Sequence, residues 1–405
     1  MYSGGVLSYS TAAKTLSSLL PITVVAGCGG ESTAKPDAFD GGFNRAALVE
    51  HLVTAVLVPT QEAFEQSAKV LPAAVQSYCS ALDAGADATA ARGAAQLAWS
   101  NAVDAWQRAD AILVGPAAMD NSALRSKIYA WPLMAPCGVD RDVVAIWTDP
   151  VGYTIDTRAI NVRSLSAMEF LLFPPNDNHS CAVAPVGWDM LAANLPQARC
   201  RLAAALATDV AVQAATLVNA WRSTGGNYAD ELIGAGTAAS TLPSAHAALN
   251  LISDAMFYVD SMTKTMKLGE SSGISLNSCG TVETPCIAEV ELRFADRASF
   301  ALRANLRVLR ETFTGTTVTG PGLGFDDFLI AVGRQDLADR ITANIDAAIA
   351  KVDALPDSFL AALTANHADV VAAYAAVKLI TDDLKSQFLT VLALETPDGI
   401  ATDND

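Results

Sequence analysis

The chain has 405 residues, 51% hydrophobic, 17% charged and 7% aromatic, with 26 Lys and Arg against 43 Asp and Glu and a formal net charge of −17. Such an acidic balance opposes nucleic-acid binding, which needs a basic face to displace counterions, and the apolar content excludes intrinsic disorder. No run of about 18 apolar residues reads as a bilayer span, so the expectation is a soluble, acidic, globular body of two or three domains.

Residues 1–14 carry one cation, Lys14, and no acid, and an apolar stretch from Leu16 to Ala26 follows. It ends in Val25-Ala26-Gly27-Cys28. That order of branched, small, small, Cys is what a lipoprotein signal peptidase reads, because small residues fit its cleft and the thiol takes the diacylglycerol. Residues 1–27 therefore read as a lipoprotein signal peptide, with Cys28 as the lipidated first mature residue. Residues 28–42, rich in Gly, Ser, Asp and Pro, read as a flexible tether. A lipid on a tether anchors a protein to a membrane without spanning it, and the expected location is the cell envelope, facing the periplasm from the outer membrane.

Cys28 is one of seven cysteines, and Cys79, Cys137, Cys181, Cys200, Cys279 and Cys286 are the other six. An even number without a CxxC pair or metal-ligand spacing fits disulfides in an oxidising compartment. Cys279 and Cys286 flank a short loop and form the easiest closure, which leaves Cys181 with Cys200 and Cys79 with Cys137. Other connectivities stay open at this point.

Beyond the tether, apolar residues recur three and four apart without sustained alternation, which predicts helices throughout. One stripe runs Trp99, Val103, Trp106, Asp110, Leu113; another Leu302, Leu306, Leu309, Phe313; a third Ile341, Ile345, Ala348, Val352. The longest runs from Leu363 through His367, Val370, Tyr374, Val377, Thr381, Leu384 and Phe388 to Val391. It predicts one continuous helix of about 28 residues, roughly 42 Å. Single-striped helices bury their stripes against each other, so the expected fold is all-α. Breaks are expected at Pro59, Gly115-Pro116, Trp131-Pro132, Pro174 to Asp177, Gly225-Gly226, Gly234 to Pro243, Gly269 to Pro285 and Gly315 to Gly324. They divide the body into two four-helix-type bundles packed side by side, residues 43–180 and 181–395, with an acidic tail at 396–405.

Catalytic motifs are missing: there is no P-loop, HExxH or GxSxG, and His51, His179, His246 and His367 are too far apart in sequence to share a helical metal face. Two acids stand out. Asp110 lies on the stripe of Trp99 and Trp106, where a carboxylate needs a partner from another helix, since Arg108 is two residues away. Glu169 sits inside Leu165-Ser166-Ala167-Met168-Glu169-Phe170-Leu171-Leu172-Phe173, with Ser166 one turn before it. A carboxylate in so apolar a segment is a structural acceptor or a functional acid.

The run from Ala98-Trp99 to Ala105-Trp106-Gln107-Arg108-Ala109-Asp110, closed by Gly115-Pro116, resembles the first Trp-rich helix of the imelysin family. Tyr129-Ala130-Trp131-Pro132 is similar to its following Trp-Pro, and Ser164-Leu165-Ser166-Ala167-Met168-Glu169 looks like its GxHxxE hallmark. Trp221, Lys264 to Gly269, Ala304-Asn305-Leu306 to Gly315, and the close at Thr396 to Asp405 continue the likeness in order. The resemblance implies two helical bundles, an envelope location, an association with iron uptake, and a family label of metallopeptidase with GxHxxE as the metal motif. Here Ser164 stands for the Gly and Ser166 for the His, so only Glu169 carries over. A hydrolytic metal needs about three protein ligands and an open position, and a Ser hydroxyl is a poor ligand.

The sequence therefore predicts a non-enzymatic, lipid-anchored binding protein of iron or haem uptake, with a cleft lined by Glu169, Ser166, Asp110, Arg163 and Asn305. Glu169 is the candidate ligand for iron or another divalent metal, and the partners are the membrane, a metal, haem or an envelope protein. The competing readings are a metallopeptidase completed by His246 or His367, and a structural envelope protein without a ligand.

Overall fold

The computed structural model describes residues 42–280 and 283–397. The expected signal peptide, Cys28, nearly all of the expected tether and most of the expected acidic tail lie outside the described residues.

The chain opens with α1 (Arg45–His51), a π-helical turn at Leu52–Leu57 and α2 (Val58–Ala68) in unbroken succession. Pro59, an expected break, interrupts nothing. The ladder widens just before it, with the Val58 N–H on the Val53 carbonyl, and the proline, which has no N–H to place, sits where the register changes. Next come α3 (Leu71–Asp83), α4 (Thr89–Asp110), α5 (Met119–Ile128), α6 (Pro136–Thr148), α7 (Ser164–Leu172) and α8 (Leu195–Trp221). Trp99, Val103, Trp106 and Asp110 of the first stripe are all completely buried on α4, while Leu113 lies beyond its end. Trp99 donates its indole N–H to the Leu165 carbonyl at 2.9 Å, which pins α7 to α4. Trp106 meets Phe64 of α2 edge to face at 4.9 Å. Each such buried side chain contributes about 2–3 kcal/mol.

The remaining helices are α9 (Tyr228–Ile233), α10 (Ala245–Met256), α11 (Ala298–Thr314), α12 (Phe325–Ala331), α13 (Gln335–Asp353), α14 (Phe359–Ala365), α15 (His367–Asp383) and α16 (Leu389–Leu392). π-Helical stretches at Val259–Glu270 and Leu384–Phe388 lie among them. The stripes on α11 and α13 are buried as expected. The long final stripe is not one rod. Asn366 leaves helical geometry (φ −130°, ψ 39°), and α14 meets the helical run that starts with α15 at 110°, so Leu363 belongs to a different helix from Val370.

Two groups of helices pack around one hydrophobic core, which holds buried residues from Leu48 to Leu394. In the first, α2, α3, α6 and α7 pack on α8, and α4 packs on α2, α3 and α7; in the second, α11, α13, α15 and the 259–270 stretch pack together, and α4 meets α11 between them. Because α8 begins after residue 180 yet packs among the N-terminal helices, the first group extends past the expected boundary. α8 is also long and apolar enough to cross a membrane by length and composition, although 56% of its apolar window is buried inside the protein.

The structure joins Cys279 to Cys286, as the short loop suggests, but pairs Cys79 with Cys200 and Cys137 with Cys181. This corrects the pairing expected for those four. The reason is packing: α3 lies along α8 and brings the Cα atoms of Cys79 and Cys200 to 5.5 Å, while Cys137, at the start of α6, meets Cys181 in the loop before α8.

Candidate functional site

Where the two groups meet, polar side chains form a buried network. The end of α4 supplies Gln107 and Asp110, both with no exposed surface. Arg125 of α5 grips Asp110 with a fork, Nε to Oδ1 at 2.8 Å and an Nη to Oδ2 at 2.9 Å, and the Tyr258 hydroxyl donates to Oδ2 at 2.9 Å. The partner expected from another helix is therefore Arg125. Burial by itself raises a carboxyl pKa, but Arg125, Lys267 and Tyr258 outweigh it and hold Asp110 below its ordinary range.

The π-helical stretch carries Lys267 inward. Its Nζ donates to Gln107 Oε1 at 2.7 Å and Asn305 Oδ1 at 2.8 Å and lies 3.0 Å from Glu291 Oε2. Glu291 Oε1 accepts from Gln107 Nε2 at 2.9 Å and from the Tyr129 hydroxyl at 2.6 Å. Burial lowers the Lys267 pKa, with Glu291 and Asp110 opposing, while burial and Glu291 raise that of Tyr129 well above the ordinary phenol range. A separate buried group on the same stretch pairs Asp260 with Lys264 at 2.9 Å and with Lys385 at 3.0 Å.

Glu169 lies beside this network in different surroundings. Its Oε1 accepts the backbone N–H groups of Phe294 and Ala295 at 2.9 and 3.0 Å. Burial, opposed by those two bonds and reinforced by Glu291, pushes its pKa up to about 8. Ser166 Oγ is buried and has no hydrogen-bond partner among the described residues, and Ser166 and Glu169, with Trp131, Met134 and Arg293, line a cavity of about 70 Å³. Ser164 has φ 87°, a left-handed conformation that favours glycine, and its Oγ accepts the N–H groups of Ala130 and Ser166 at 3.1 and 3.3 Å. The position that corresponds to the Gly of GxHxxE is thus one where a glycine is the unstrained choice.

Of the expected cleft residues, Ser166 and Glu169 share the cavity, and Asp110 and Asn305 share the adjoining network. Arg163 belongs to neither. It forks onto Asp209 of α8 at 3.0 and 2.5 Å and reaches Asp156 at 3.4 Å, because its side chain leaves the start of α7 toward α8. Lys267, Arg125, Tyr129, Tyr258, Gln107 and Glu291 complete the network, and the sequence singles out none of them as a site residue. Asp260, Lys264 and Lys267 do follow helical spacing, but in sequence they match any solvated charged face.

The donor set does not fit a divalent cation. Oε1 of Glu169 faces two N–H donors, which a cation would repel, and among the described residues no group of three His, Cys, Asp or Glu converges as ligands. His246 and His367 donate their Nε2 hydrogens to the carbonyls of Ala393 and Ser272 at 3.0 and 2.9 Å, and His51 bonds the Gly315 carbonyl at 2.8 Å.

The family model described as Imelysin, peptidase M75, matches residues 57–387. Among solved structures, an imelysin-like protein from Psychrobacter arcticum 273-4 superposes with a TM-score of 0.64 at 17% identity, covering 87% of this chain and 96% of its own. A protein from Parabacteroides distasonis ATCC 8503 named as an iron-regulated protein A precursor gives 0.65 at 17% identity, covering 88% and 97%. The curated proteins yield no significant match to the sequence. At that identity the superpositions establish the fold, and the family model, spanning most of the sequence, establishes the relationship: the chain belongs to the imelysin family.

Proposed function

We propose that the chain is a non-enzymatic binding protein of the cell envelope, held to the outer membrane by a lipid on Cys28 and serving iron or haem uptake. The name of the Parabacteroides relative supports the iron connection. The observation that carries the binding role is the pair Ser166 and Glu169: a buried hydroxyl without a partner beside a carboxyl whose pKa is about 8. Below that pH both present O–H donors. They suit an oxygen acceptor, such as a carboxylate arm of a larger ligand whose body lies outside the cavity, rather than a bare cation.

The test is titration of the mature protein with haem, Fe(II), Fe(III) and Zn(II), for wild type, Ser166→Leu and Glu169→Ala, with helicity monitored. Saturable binding of haem, weakened tenfold or more by Ser166→Leu, is the expected result, with no stoichiometric metal held through Glu169. Metal-dependent cleavage of an unstructured protein, lost in Glu169→Gln at unchanged helicity, would overturn the non-enzymatic reading. The anchor is tested separately by labelled fatty-acid incorporation, which Cys28→Ser abolishes.

A further inference from the structure

A larger cavity lies where α2, the end of α4 and the end of α11 come together. It measures about 520 Å³, within the range of small-molecule pockets, about 300–1,000 Å³, whose walls are largely apolar with a few polar groups. Ala55, Pro59 and Ala63, one helical turn apart, give it a small apolar wall. Opposite them Thr317, Val318 and Thr319 belong to the turn that follows α11. That turn is held in shape: Thr317 and Gly320 exchange backbone hydrogen bonds at 3.0 and 3.1 Å, and His51 holds the Gly315 carbonyl at its base. Val318 on the turn is 99% exposed.

The charged part of the lining is one ion pair, Arg108 of α4 and Glu311 of α11, with an Nη to Oε2 distance of 2.5 Å. Their side chains keep 32% and 17% of their surface, so both charges are open to a ligand. A guanidinium has five N–H donors and a carboxylate two acceptor oxygens, and among the described residues this pair makes no other side-chain hydrogen bond. The same lining carries a backbone acceptor. Pro59 has no N–H for the carbonyl four or five residues back, that of Ala55 or Thr54, and both residues line the cavity.

We infer that this cavity is a second binding site, separate from Ser166 and Glu169, for a small zwitterion: a free amino acid with an apolar side chain. The ligand carboxylate lies on Arg108 and its ammonium on Glu311, and the side chain packs on Ala55, Pro59, Ala63 and Val318. Adjacent opposite charges in the wall select adjacent opposite charges in the ligand. A lone carboxylate drawn to Arg108 meets Glu311 as a like charge, and a lone ammonium drawn to Glu311 meets Arg108 in the same way. A zwitterion instead closes a ring of alternating charge.

The experiment is an NMR titration of the isotope-labelled mature protein with L-leucine, with isocaproate, which lacks the ammonium, and with isoamylamine, which lacks the carboxylate. The backbone amides of Val318 and Thr319 report on the cavity, and those of Phe294 and Ala295, which bond Glu169, are the internal control. The expected result is a saturable leucine-induced shift at Val318 and Thr319 alone. Leucine binds about tenfold more tightly than either singly charged analogue, equivalent to about 1.4 kcal/mol. Glu311→Gln, at unchanged helicity and thermal midpoint, weakens leucine about tenfold but not isocaproate; Arg108→Gln weakens leucine but not isoamylamine. No saturable shift at Val318 and Thr319, equal affinities for the three compounds, or shifts at Phe294 and Ala295 in step with Val318 overturns the proposal.

Discussion

Asp110 and Glu169 are both buried carboxyls that interrupt apolar helical faces, and their surroundings drive them in opposite directions. Asp110 has a guanidinium fork, a phenol and a nearby ammonium, and stays ionised below the usual carboxylate range. Glu169 has two backbone N–H groups and another carboxylate, and its pKa rises to about 8. Burial is common to both, so neighbours decide the charge. The compensated region is a strut between helices, while the under-compensated one holds a carboxyl that stays protonated up to about pH 8 beside the buried Ser166 hydroxyl.

The largest expected effect comes from breaking the strut. Asp110→Leu leaves Arg125 buried without its counter-ion and should lower stability by about 3–5 kcal/mol. Asp110→Leu combined with Arg125→Met should recover much of that loss, as read from denaturant midpoints at unchanged slope. Recovery of nothing would show that the pair does more than compensate charge.

Glu169 gives the next effect, and its sign is opposite to that of an ion-paired acid. Its pKa is about 8 in the fold against an ordinary value of 4.5. Between those values the native chain holds a proton that the unfolded chain has released. The contribution is full below about pH 4.5 and is lost as pH rises through 8, at about 1.4 kcal/mol per pH unit. Glu169→Gln removes this dependence. Between pH 5 and pH 8 the mutant should therefore gain about 2–4 kcal/mol on the wild type. Parallel pH profiles for the two proteins would refute the assignment.

A smaller change sharpens the cause. Replacing Lys267 and Glu291 together by Met and Gln removes the carboxylate that raises Glu169 without stranding an ammonium, so the midpoint of the Glu169 pH dependence should fall by about 1 unit or less. An unchanged midpoint would assign the whole rise to burial. Smallest of all is Ser164→Gly, which relieves a left-handed backbone but gives up two hydrogen bonds, for a net change within about 1 kcal/mol. Ser164→Ala keeps the backbone cost, loses the bonds, and should be the worse of the two by about 1 kcal/mol. Equal midpoints for Gly and Ala would show that the conformation carries no cost.

The stripes on α4, α11 and α13 are readable because spacing by three and four is a local property of helical geometry, and apart from Leu113, which lies past the end of α4, each is buried where it is expected. The last stripe kept that spacing across Asn366, where the chain turns by 110°; periodicity reports which faces are apolar, not whether the axis is straight. Asp110 and Glu169 were visible as acids on apolar faces, and the need of Asp110 for a distant partner follows from desolvation alone.

The sequence by itself determined an all-α chain of the imelysin family with two conspicuous buried acids and one short disulfide. Which residues answer those acids was decided only by tertiary structure. Arg125, Tyr258 and Lys267 lie 15, 148 and 157 positions from Asp110, and Cys79 meets Cys200 across 121. The same packing sends Arg163 away from the cleft to Asp209 and sets the backbone of Phe294 and Ala295 against Glu169. Local spacing fixes a side chain's direction on its own helix, but the energy of a buried charge depends on what the other helices bring within a few ångströms.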